Sequence, residues 1–79
     1  MDKKIKFDLY RALALMSDEE VKQEFFDYSF RVLGSTSELM YERGYPIEDI
    51  REAEKVERFN NEYYDMLEMV VLSRKIKID

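Results

Sequence analysis

Residues 17–34 read SDEEVKQEFFDYSFRVLG, and the fold class turns on them. Ser17 followed three residues later by Glu20 is a capping box, in which a hydroxyl and a carboxylate satisfy the free amides that begin a helix. Asp18, Glu19 and Glu20 also suit the positive end of a helix dipole. Behind this cap, Val21, Phe25, Tyr28 and Val32 recur on one stripe and Phe26, Phe30 and Leu33 on the next, at helical steps of three and four. The spacing predicts a helix from about Asp18. Gly34 is a natural stop, because glycine takes the left-handed C-cap conformation at no steric cost. Ser35 with Glu38 offers a second capping box, so the segment through Leu39 and Met40 is either one long bent helix or two short ones.

Upstream, Ile5, Leu9, Ala12, Leu13 and Met16 share one face of a helix predicted over about residues 3–16. Downstream, Gly44-Tyr45-Pro46 ends the middle region, since proline is tolerated only in the first turn of a helix. A third helix is predicted from about Pro46 to Leu72 or Ser73. Its seam is Val56, Phe59, Tyr63, Met66 and Val70, with Tyr64, Leu67 and Val71 beside it. Ile47, Ile50 and Ala53 step by threes and drift around the helix, which directs them to a different neighbour. The chain starts and finishes with KIKFD (residues 4–8) and KIKID (residues 75–79), whose alternation fits either frayed helix ends or a short two-stranded ribbon laid on the helices.

Composition agrees with this reading. The 79 residues are 46% hydrophobic, too apolar for disorder, and two Gly and one Pro are too few for a many-stranded sheet. The expected architecture is all-α: a single helical domain over residues 1–79, a small antiparallel three-helix bundle that becomes four helices if the second breaks near Gly34. Its short basic termini are free to be extended. With no Cys, disulfides and thiolate zinc sites are excluded, and with no His the commonest remaining transition-metal ligand is missing. No apolar run is long enough to span a membrane and the N-terminus lacks a secretory hydrophobic stretch, so a cytoplasmic protein without membrane association is expected.

Catalytic chemistry finds little support. The usual His- and Cys-based nucleophile pairs are absent, two isolated glycines cannot build a phosphate loop, and Ser35, Thr36 and Ser37 read as caps. Glu62, Asp65 and Glu68 are spaced along the third helix, but helical di-metal sites also require Glu-x-x-His, so they read as a solvated acidic face. No enzyme, cofactor or metal is expected. Charge is unevenly spread. Lys3, Lys4, Lys6 and Arg11 make the N-terminal tip basic, and Arg74, Lys75 and Lys77 do the same at the other end, while the body between them is strongly acidic and repels a phosphate backbone.

The expected function is that of a small acidic helical protein acting by protein–protein interaction, as a regulator, inhibitor or adaptor. Heavy use of Lys, Ile, Phe and Tyr hints at an AT-rich phage or mobile element as its source. The alternative is a small DNA-binding transcriptional regulator, because residues 30–44 resemble a degenerate helix-turn-helix around Gly34. Against nucleic acid as partner, residues 35–43 offer base edges only Arg43 beside Glu38 and Glu42. Tyr10, Tyr41, Tyr45 and Tyr64 lie towards the edges of the apolar stripes, as recognition surfaces favour. The apolar arcs of the second and third helices span roughly 200° each, wider than the ~100° that a helix in a monomer buries. A homodimer is therefore expected, with Phe25, Tyr28 and Val32 inside the subunit and Phe26, Phe30, Leu33, Tyr64, Leu67 and Val71 as interface residues.

Overall fold

Local signals place every helix boundary. In the computed structural model, which describes residues 1–78, the elements are α1 (Lys3–Ala14), α2 (Asp18–Arg31), α3 (Thr36–Glu42) and α4 (Ile47–Arg74), with no strand among the described residues. The Asp2 carboxylate accepts from Lys4 N at 3.1 Å and starts α1. At the start of α2 the capping box closes from both sides: Glu20 N donates to Ser17 Oγ at 3.2 Å and Ser17 N to Glu20 Oε1 at 3.0 Å. Of the two readings of the middle region, the broken one is realised. Gly34 sits at φ 84° after α2, and Gly44 at φ 76° closes α3, with Tyr45 N donating back to Met40 O.

Of the two readings of the tips, the two-stranded ribbon is not formed among the described residues. KIKFD is the first half of α1, because a capped helix satisfies backbone groups that a lone two-stranded ribbon leaves to water. Residues 76–78 follow α4 without regular structure. Lys75 takes the left-handed conformation (φ 54°), which turns Ile76 back onto the core with its amide donating to Val71 O at 3.0 Å. Asp79, the last residue of KIKID, lies outside the described residues.

All three shorter helices rest on α4. The Met1 amine lies 3.0 Å from Glu62, and Arg74 reaches the end of α1, so α1 runs in the same direction as α4. The second helix returns along another side. Phe25 stacks on Tyr64 at 4.9 Å, Tyr28 meets the edge of Tyr63 at 4.7 Å, and α3 continues the same line to Ser37 beside Glu57. The three long helices thus run up, down and up. Their core is Leu13, Val21, Tyr63, Met66, Leu67 and Val71, with Leu9, Met16, Phe25 and Val70 packed around it. Each fully buried aliphatic side chain here stabilises the fold by about 1.5–3 kcal/mol. Ile50 is buried apart from this cluster, near Ser37 and Tyr41 of α3, so it does meet a different neighbour, while Ile47 is exposed.

The shape is thin, 43 × 31 × 14 Å, with a radius of gyration of 14.7 Å, against about 12 Å for a compact chain of this length. Accessible surface is 6221 Å², where about 5,100 Å² is usual for 9.6 kDa. Much apolar surface is consequently left outside.

Arg74 closes the thick end. Its guanidinium donates to Leu13 O at 2.9 Å, Met16 O at 2.8 Å and Asp18 Oδ1 at 3.2 Å, adding a second donor to Leu13 O, which already accepts from Met16 N at 3.1 Å, and meeting the Met16 carbonyl in the turn between α1 and α2. Arg74→Met keeps the aliphatic stem but removes these charged donors, leaving the Met16 carbonyl without its guanidinium partner. The expected loss is about 2–3 kcal/mol in urea denaturation, whereas Arg51→Met on the exposed side of α4 is expected to change stability by less than about 0.5 kcal/mol.

Candidate interaction surface

The wheel of α2 decides what it shows to solvent. Because Val21, Phe25 and Tyr28 turn towards α4, Phe26, Phe30 and Leu33 are carried to the outer side. The Phe26 and Phe30 rings lie 6.3 Å apart, and Phe30 and Leu33 are 67% and 72% exposed. Tyr64 sits at the edge of this region, half-buried under Phe25. Leu67 and Val71 do not belong to it. They are 0% and 6% exposed, members of the core, which corrects their placement on a spare face. The reason is the central position of α4: α2 lies over the side that carries Tyr64, Leu67 and Val71, while α1 lies over the side of Met66 and Met69, so the wide apolar arc is largely used within the subunit.

Periodicity alone does not single out a second apolar patch. The seam of α4 runs from Val56 to Val70, but only Tyr63, Met66 and Val70 are covered; Val56 and Phe59 remain 58% and 39% exposed. Met1 and Ile5 from the start of α1 come alongside them. Met1, Ile5 and Phe59 line an open notch of about 240 Å³ together with Lys55, Arg58 and Glu62, and Val56 lies outside its lining. Phe59 stacks on Tyr63 at 5.9 Å, Tyr63 meets Tyr28 at 4.7 Å, and the Arg31 guanidinium lies 4.6 Å over the Tyr28 ring. An aromatic row therefore leads from the notch into the core. Burial first, then the nearby Glu24 carboxylate and Tyr28, push the Tyr63 hydroxyl up to about 12, so it stays a neutral phenol at ordinary pH. The 3-4 spacing of the seam was legible in the sequence; the end of its intrachain cover was not.

The turn between α2 and α3 carries its own chemistry. Ser35 Oγ accepts from Glu38 N at 3.3 Å as a cap, and the Ser37 amide of α3 is met from outside. Glu57 of α4 accepts from Ser37 N and from Ser37 Oγ, both at 2.8 Å. The Ser37 amide is the main cause that holds the Glu57 carboxyl below its usual range, against the opposing effect of burial. A carboxylate so stabilised is a weak general base, and the serine–glutamate contact is accordingly a structural cap. It also puts negative charge at the N-terminus of the helix that a helix-turn-helix would present to phosphates. Among the described residues no group of three His, Cys, Asp or Glu side chains is gathered to hold a metal ion, and no helix is long and apolar enough to cross a membrane.

Comparison of the chain with protein-family models, curated proteins and solved structures returns no match. The candidate surface therefore rests on geometry alone.

Because the folded carboxyl of Glu57 is depressed, its contribution is present above the ordinary glutamate value. It is lost as pH falls through that value and on through the lower folded one. Glu57→Gln is expected to cost about 1 kcal/mol near pH 7, the scale of a lost helix cap. The difference from wild type should shrink near pH 3. Urea denaturation at the two pH values checks this, with amide exchange at Ser37 reporting locally.

Proposed function

We propose that this chain works by binding another protein, as a regulator, inhibitor or adaptor. The observation that carries the reading is the unused apolar surface. About 1,100 Å² more surface of all kinds is exposed than a compact chain of 9.6 kDa shows, and the exposed apolar side chains include Phe26 and Phe30 of α2 with Leu33 just after it, and Phe59 in the notch on α4. Monomeric proteins rarely leave contiguous apolar patches of more than a few hundred Å² without a use for them.

Electrostatics favours a protein partner over a nucleic acid. The body is acidic, the net charge is −5, and the one segment with helix-turn-helix order directs Glu57 to the start of its short second helix. An acidic helical surface of this kind is complementary to a basic patch on another protein, which speeds encounter and selects the partner.

The test is affinity capture from lysate with wild type and with a Phe26→Glu/Phe30→Glu variant whose thermal unfolding matches wild type. A specific protein recovered by wild type and lost with the variant is the expected result. Identical recovery by both would remove the α2 strip from the reading. Labelled duplex titrated at ~50 mM and ~200 mM salt should show no saturable binding; a steep loss of binding between the two would instead favour the DNA-binding alternative.

A further inference from the structure

We infer that the open end of the α4 seam, Val56 and Phe59 with the notch beside Phe59, is covered by a second copy of this chain, the two α4 helices crossing antiparallel about a two-fold axis. This rests on the interaction reading and names a first partner for it. Val56, Phe59, Tyr63, Met66 and Val70 are spaced 3-4-3-4, the seam of a helix that packs along its length. α1 and α2 cover the last three and stop short of the first two. The seam thus continues for one heptad beyond its own subunit, into a notch walled by Met1 and Ile5.

Charge makes the notch self-complementary. In an antiparallel pairing centred between Val56 and Phe59, each Val56 meets Phe59 of the partner subunit. Lys55 and Glu62 occupy the flanking positions seven residues apart, so Lys55 of each chain comes opposite Glu62 of the partner subunit. Both side chains line the rim of the notch. Among the described residues Lys55 meets Glu52 in an exposed contact at 3.3 Å, which is weak and readily exchanged, while Glu62 holds the Met1 amine at 3.0 Å and would share its carboxylate between that amine and Lys55 of the partner subunit. The Phe26–Phe30–Leu33 strip lacks such walls and lies on the outer side of α2.

Area and stability point to a copy of the chain in particular. The whole subunit exposes ~1,100 Å² more than a compact monomer of its mass, and a stable pair buries about 800 Å² on each side. Only seven hydrophobic side chains are buried among the described residues, and cores of chains this short rarely supply more than about 3–5 kcal/mol. A fold so thin gains from a partner present at synthesis, and an identical chain always is.

Light scattering on a size-exclusion column at ~100 μM, which populates any dimer of micromolar or tighter affinity, is expected to give the dimer mass for wild type and the monomer mass for Phe59→Glu. Lys55→Glu and Glu62→Lys are each expected to weaken association about tenfold or more, and the double variant to restore it, because the opposed charges are then exchanged. Among the described residues Lys55 is exposed and joins no other helix, so Lys55→Glu tests the pairing even if Phe59→Glu fails to fold, whereas Glu62→Lys also breaks the Met1 contact and is compared with wild type in thermal unfolding. A monomer mass for wild type overturns the proposal, as does a dimer that survives Phe59→Glu but is lost in Phe30→Glu. A monomeric wild type that still captures a specific protein from lysate would sink the dimer while leaving the interaction reading in place.

Discussion

The guanidinium of Arg74 holds the corner from which the other helices take their direction. It stands at the last residue of α4 and donates to the backbone oxygens of Leu13 and Met16 and to the Asp18 carboxylate, so that the end of α1, the start of α2 and the end of α4 meet at one point. The Met16 carbonyl, in the turn after α1, would otherwise need water beside the fully buried Leu13 and Val21. With the corner held there, α1 and α2 separate as they leave it along different sides of α4. The packing is dense near the corner and thins with distance from it.

That gradient accounts for the two kinds of chemistry in the fold. Near Arg74 the helices are joined by apolar contact among Leu13, Val21, Met66, Leu67 and Val71. Towards the start of α4 only the seven-residue α3 lies against it, and a polar device takes over: Glu57 caps α3 through the amide and hydroxyl of Ser37, beside the buried Ile50. One hydrogen-bonded carboxylate anchors a helix too short to be stable by its own backbone bonds. The other flank of α4 at this level has no such cover, and there Val56 and Phe59 remain open.

The two exposed apolar regions differ in what they can receive. Phe26, Phe30 and Leu33 form a strip on the outer side of a helix, suited to lie in a groove supplied by another molecule. Phe59, with Met1 and Ile5, lines a concavity joined to the core through the Phe59–Tyr63–Tyr28 row, and Val56 is exposed beside it. A thin helical layer with a ridge on one helix and a notch on another can hold two partners at once.

The helical class, the Ser17–Glu20 box, the stops at Gly34 and Gly44 and the extent of α4 were all determined by the sequence itself, because caps, breakers and 3.6-residue periodicity act over a few neighbouring residues. The inward stripe of Phe25 and Tyr28 was legible for the same reason. Tertiary structure alone decided that Leu67 and Val71 are core and that Val56 and Phe59 are not, since all four lie on apolar arcs of one helix and differ only in which helices reach them. It alone brought Arg74 to Leu13 and Glu57 to Ser37, contacts across 61 and 20 residues that no local spacing encodes. A helix announces its own faces, but which face is covered depends on where the others land.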